Sequence, residues 1–416
     1  MSSLAIVDAA AVVPLAGAGP LRGPDLSSFE TLEGASVTFE GDRVATVGDA
    51  ADAEATFDAR GLTVVPGFVD PHTHLPFFGW RADEDAARLA GVRYETLHRE
   101  EGGIFRSARL LAEASDDDVL AFSEGLARSM LRNGTTTFET KSGYGLSLDA
   151  ELRQLRLARQ LADRVPQRVV STCLAAHAVP RGRSEGEWIG QIAQELLPAV
   201  VEENLAEACD VYVETIAFSL EHAARLAHAA EQLQLRMRVH GDQLADNQTA
   251  SFAARWGFAS VDHLNHCSGG GVADLAETQT AAVLLPGATF TLRQEMRPPA
   301  RALIDEGAVI ALGTDLNPGT SPIHSMPFVM ALACRTYGLR PKEALAASTV
   351  NAAFTLGLDQ EVGRLQAGHR ADAVVLDVPD VDELAYRPDA AVVAAVVCAG
   401  ELVHVASGYE ERAGRV

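Results

Sequence analysis

Residues 66–75 read PGFVDPHTHL. An apolar run leads into two histidines, His72 and His74, one residue apart. On an extended strand, side chains two positions apart point the same way. The segment therefore sends two imidazoles to one side of what reads as a buried strand end. Alone, an H-x-H pair is ordinary, an exposed or hydrogen-bonded pair on a polar face. It becomes half of a metal site only if other strand ends bring further ligands, and that demands a fold that gathers strand ends in one place.

The downstream sequence has that form. From about residue 66 to 360, short apolar runs alternate with long Ala/Leu/Arg/Glu-rich stretches such as AELRQLRLARQLADRV (150–165). Such alternation is the pattern of β/α units around a parallel sheet. The runs are GFVDPHTH (67–74), GTTTFET (134–140), RVVSTCLAAH (168–177), CDVYVE (209–214), RMRVHGD (236–242), ASVDHL (259–264), AAVLLPG (281–287) and VIALGTD (309–315). Eight such strands close a (β/α)8 TIM barrel, whose active sites form at the C-terminal strand ends. Five of the eight runs end in His or Asp: His72 and His74, His177, His240, His263 and Asp315. Taken singly, each reads as a satisfied core histidine or a capping aspartate. Repeated at strand ends, imidazoles and a carboxylate read as a site for one divalent metal ion, Zn2+ or Fe2+.

The two ends of the chain differ in texture from this α/β core. ASVTFEGDRVATVGD (35–49) alternates apolar and polar residues around EGDR, as a hairpin does. ADAVVLDVPD (371–380) and AAVVAAVVCAGELVHVASG (390–408) are equally strand-like. The reading is a small β-sandwich domain built from residues 1–65 plus 361–416, around a barrel at 66–360.

Composition narrows the function. Of 416 residues, 47% are hydrophobic and 22% charged, ordinary for a soluble enzyme. The formal charge is −23, and Lys141 and Lys342 are the only lysines. Nucleic-acid binding needs a cationic surface, so that class is excluded as a partner. An anionic substrate would need local arginines to overcome the global field. Cys173, Cys209, Cys267, Cys334 and Cys398 are scattered without a C-x-x-C and read as reduced thiols. No apolar run reaches the ~20 residues that span a bilayer, and MSSLAIVDAAAVVPLAG lacks a basic start. A cytoplasmic protein with no membrane partner is expected.

HTHLPFFGWR (72–81), RLAGVRYETL (88–97), GTTTFETKSGYGL (134–146), AAHAVP (175–180), VDHL (261–264), LLPGATFTL (284–292) and TDLNPGTS (314–321) extend the pattern. Over about residues 5–400 the chain resembles the amidohydrolase superfamily, a distorted barrel carrying a terminal β-sandwich. It is most similar to the members that open a five-membered imidazolone ring bearing a propionate. The resemblance implies a metal held by His72, His74, His240 and Asp315, with water at the open position. Asp315 would also take a proton from the attacking water, and His263 would polarise or orient the reacting group. Positions matching Arg81, Tyr94, Tyr144 and His177 contact ring and propionate, and those matching Asn317, Gly319 and Thr320 contact ring and product. No bridging lysine carbamate is implied, so Lys141 is read as exposed or salt-bridged. A homodimer is implied, as is hydrolysis of 4-imidazolone-5-propanoate to N-formimidoyl-L-glutamate.

One motif departs. The family's fifth strand ends His-Ala-Asp-Glu, and here residues 240–243 are HGDQ. Asp242 is kept, but the catalytic glutamate position is Gln243, and the glycine pair that usually follows is absent from LADNQTASF (244–252). Glutamine hydrogen-bonds but does not shuttle protons at neutral pH. Three readings stay open: the imidazolone reaction with Asp315 and His263 carrying the protons, hydrolysis or deamination of a related carboxylated heterocycle, and a weakly catalytic ligand-binding paralogue.

Overall fold

Each apolar run forms a strand in the computed structural model, which describes residues 3–49, 51–92 and 102–415. The barrel strands are, in order, Phe68–Asp70, Thr135–Lys141, Arg168–Ala176, Ala208–Val213, Arg236–Gly241, Ser260–His263, Ala281–Leu284 and Ile310–Leu312. They lie side by side in chain order, all neighbours parallel. Every residue of the second strand, TTTFETK, is buried, which is why such strands read as unbroken runs rather than alternations. Between them run amphipathic helices. Helix Leu148–Ala162 buries Gln154, Leu155, Ala158 and Leu161, spaced as one face of a 3.6-residue turn, and starts on a Ser147 cap.

The first strand stops at Asp70, before Pro71, which has no N–H to donate to a ladder. His72 and His74 therefore lie just past the strand, in an extended segment that closes the barrel. Asp315 N–H donates to His72 O and His74 N–H to Leu316 O, both at 2.9 Å. The eighth strand thus meets the first at the two places where metal ligands were read.

Two further sheets form the smaller unit. Ser3–Val7, Ser36–Glu40, Arg43–Gly48, Ala55–Asp58 and Ala413–Arg415 make one. Ala11–Val12, Leu32–Glu33, Thr63–Pro66, Ala373–Leu376, Val393–Cys398 and Glu401–Val405 make the other. The hairpin is present, with Glu40 opposite Arg43. In the second sheet Val64, Ala373 and Val375 pack on Ile6, Val37 and Phe39 of the first. The alternate residues Val65, Val374 and Leu376 join the core shared with the barrel helices. The five cysteines are free. Among the described residues, no helix is long and apolar enough to cross a membrane.

Candidate active site

Closure of the barrel sets His72 and His74 against Asp315. Asp315 Oδ1 is 3.2 Å from His74 Nε2 and 3.5 Å from His72 Nε2, and those two nitrogens are 3.3 Å apart. From the end of the fifth strand, the His240 ring comes within 4.5 Å of the His72 ring, centroid to centroid. Ligand nitrogens of His72, His74 and His240 all lie within 4.8 Å of one another and are buried. His240 Nδ1 bonds Asp210 Oδ1 at 3.1 Å, while its Nε2 finds no hydrogen bond among the described residues. Buried polar atoms are seldom left unpaired. Three imidazoles and a carboxylate crowded together, with a lone pair unmet, fit a divalent cation.

Backbone strain and electrostatics both serve this cluster. His263 and Asp315 sit at φ +81° and +54°, a region non-glycine residues rarely adopt and one that recurs at functional sites. Burial pushes His74 down to about 4 and His263 to about 3, so both rings are neutral near pH 7. Burial alone would raise Asp315, but hydrogen bonds from His72 and His74 outweigh it and hold the carboxyl well below its usual range. His72 goes the other way. Burial and the Lys141 charge lower it, yet Asp262 and Asp315 lift it to about 9.

Sequence reading missed the groups behind the ligands. Asp262 Oδ2 sits 2.6 Å from His72 Nδ1, and Asp210 plays the same part at 3.1 Å from His240 Nδ1. The only signal was a charge inside an apolar strand, in CDVYV and SVDH. Lys141 is not exposed. It is fully buried and salt-bridged to Glu139 and Asp210.

One cavity over the cluster is lined by His74, His240, His263 and Asp315 together with Arg81, Tyr144, His177, Gln243, Asn317 and Thr320. Ile104 and Tyr212, not foreseen, complete it. Tyr94 lies outside the described residues. Arg81 is 3% exposed. Its Nε and Nη1 make no hydrogen bond among the described residues, although Glu84 Oε2 stands 3.6 Å from Nε. Gly319 gives the guanidinium its room, since a Cβ there would fall 1.7 Å from Arg81 Nη2. Gly143, at φ +112°, lets the KSGYG loop lie on His177, where a Cβ would come within 2.8 Å of Nδ1. His177 Nδ1 bonds Gly143 O at 3.2 Å, and its ring stacks on His74 at 5.2 Å. Buried Glu151 fixes that loop by accepting from the N–H groups of Gly143, Gly145 and Leu146.

Two polar side chains of these motifs are tied to nearby backbone. Asn317 accepts from the Gly319 and Thr320 N–H groups and donates to Asp315 O, which shapes its own loop. Asp242 accepts from the N–H groups of Asn247, Thr249 and Ala250. Its carboxylate thus caps the start of helix Thr249–Trp256. Gln243 does face the cavity, and its Oε1 accepts from the Tyr212 hydroxyl at 3.0 Å.

Comparison with known proteins agrees with this geometry. Residues 63–403 match the profile of the amidohydrolase family. The imidazolonepropionase of Rubrobacter xylanophilus is 43% identical over 412 residues, covering 97% of this chain and 99% of that one. That of Symbiobacterium thermophilum is 42% identical, covering 96% and 97%. In fold, the chain is similar to a zinc-complexed atrazine chlorohydrolase from Arthrobacter aurescens, with a TM-score of 0.71, 16% identity and coverage of 96% and 95%. It is similar also to N-isopropylammelide isopropylaminohydrolase from Burkholderia multivorans, with a TM-score of 0.70, 22% identity and coverage of 97% and 99%. With a profile match over most of its length and relatives above 40% identity from end to end, the chain belongs to the amidohydrolase family, alongside the imidazolonepropionases.

Proposed function

We propose that this chain hydrolyses 4-imidazolone-5-propanoate to N-formimidoyl-L-glutamate, the substrate class in the name its relatives carry. The observation that supports this most is the meeting, in one cavity, of a metal-type donor set with the buried Arg81 fork. A guanidinium can grip a propionate carboxylate through two parallel hydrogen bonds, and it sets a local positive charge against the chain's net charge of −23.

His72, His74, His240 and Asp315 would hold the ion, Zn2+ or Fe2+ in this reading. When bound, it would acidify a water and polarise the ring carbonyl. The water oxygen bonds to the carbonyl carbon and the ring C–N bond breaks. Asp315 accepts a water proton; because its carboxyl is held at low pKa, it passes that proton on to the departing ring nitrogen. The second proton leaves the new carboxylic acid. His263, kept neutral by burial, donates one hydrogen bond to the reacting oxygen. Tyr144 and His177, which line the same cavity as Arg81, would wall the ring. With Oε1 engaged by Tyr212, Gln243 offers the ring an N–H donor, not a proton shuttle.

Purified, metal-quantified protein tests the reading against imidazolonepropanoate, hydantoins and related ring acids. Imidazolonepropanoate should give the highest kcat/KM. A higher value on another ring acid would replace the substrate while keeping the enzyme class.

Gln243 favours one second reading, a related cyclic amide or amidine whose ring acceptor the glutamine amide recognises. Gln243→Glu separates the two. If the imidazolone reading holds, restoring the acid raises imidazolonepropanoate turnover by about an order of magnitude or more. If the pocket is remodelled, the same change costs roughly 1–3 kcal/mol on the true substrate through a mispaired buried polar group. Unchanged rates on every substrate would show the position to be indifferent.

A further inference from the structure

Below the ligand cluster, the barrel interior is charged where such barrels are ordinarily filled by Val, Ile and Leu. Glu139 and Lys141 come from the second strand, Asp210 from the fourth, Arg238 from the fifth and Asp262 from the sixth. All are at most 1% exposed. Lys141 Nζ lies 2.7 Å from Glu139 Oε1 and 2.8 Å from Asp210 Oδ2, with Asp262 Oδ2 at 3.9 Å. Arg238 Nη2 stands 3.6 Å from the same Asp262 oxygen. The other oxygen of Asp210 holds His240 Nδ1 at 3.1 Å, and Asp262 holds His72 Nδ1 at 2.6 Å.

Burying five charges is costly unless each is paired, and a floor needed only for stability could be apolar. This one ends on two metal-ligand imidazoles. Carboxylates that take the outer N–H of a ligating histidine fix which nitrogen faces the metal. Those carboxylates must themselves be held still, and an ammonium with three donors can do so from between two of them. The formal charges fit as well. Three carboxylates and two cations in the floor, with Asp315 above, leave two negative charges, which one divalent cation would balance.

We propose that Lys141 is a positioning residue for the metal: its ammonium clamps Asp210, whose other oxygen holds the His240 ring by Nδ1 and turns Nε2 to the ion. The proposal rests on the reading of the cluster as a divalent-metal site. It also gives the lysine a task that excludes a carbamate, which would set an anion against two carboxylates.

The test compares wild type with Lys141→Met, which keeps the length and removes the charge. Zinc affinity of the metal-free proteins is measured by competition with a chromophoric chelator, and folding by circular dichroism and thermal midpoint. Lys141→Met should fold and bind zinc about 10–100-fold more weakly, the range for lost outer partners of metal ligands. A folded variant with wild-type zinc affinity overturns the proposal. A wild-type chain that takes up neither zinc nor ferrous iron overturns the metal reading and this inference with it. Should Lys141→Met not fold, 15N NMR of wild-type His240 decides. Protonation at Nδ1 in the zinc-loaded protein supports the clamp, and ligation through Nδ1 overturns it.

Discussion

Asp315→Asn should lower kcat by about 10²–10⁴-fold, the usual cost of losing a positioned acid or base. Asparagine is the informative replacement. It keeps the size of the side chain and tolerates the left-handed backbone at φ +54°, where Asn is among the few residues at ease. What it loses is negative charge and the capacity to take a proton. Because the same oxygen faces His72 and His74, metal affinity will fall too, so kcat must be read at saturating metal with occupancy measured. Full activity at full occupancy would remove Asp315 from the proton path and leave it a ligand only.

Arg81→Met should weaken binding of acidic ring substrates by about 2–5 kcal/mol, the range for truncating one partner of a buried charge pair. Neutral analogues without the carboxylate should bind nearly as before. The protein should still fold, because Glu84 keeps its bonds from the Gly103 N–H and its ion pair with Arg106. Inhibition constants for matched acidic and neutral rings provide the check. Equal losses on both would make Arg81 a structural residue that props the loop bearing Gly319.

What could be read from the sequence follows from how each residue is buried. The eight strands were legible because a strand covered on both faces has no reason to alternate, as TTTFETK illustrates. The candidate ligands stood out because a histidine or aspartate closing such a run breaks its chemistry. The strand boundary was not: His72 and His74 read as strand residues, but the ladder ends at Asp70 and closure continues through Asp315 and Leu316. Asp210, Asp262 and Glu139 were overlooked because a charge in a core strand gains meaning only from a partner on another strand. Asn317 shows the same limit. Its motif was recognised, yet only coordinates reveal that both ends of its amide serve its own loop.

The sheet shared by both ends of the chain has a consequence for synthesis on the ribosome. Strand Thr63–Pro66 pairs with Ala373–Leu376, and Gly67 N–H, at the root of the segment carrying His72 and His74, donates to Asp372 O at 2.9 Å. The whole barrel is translated between these partners. A nascent chain therefore holds an unpaired apolar strand edge, the kind that templates aggregation, until its final segment emerges. Contacts so distant in sequence are also slow to form. A chain cut short by a stop codon just after the barrel would carry His72, His74, His240 and Asp315, yet lack the strand that anchors the first two of them.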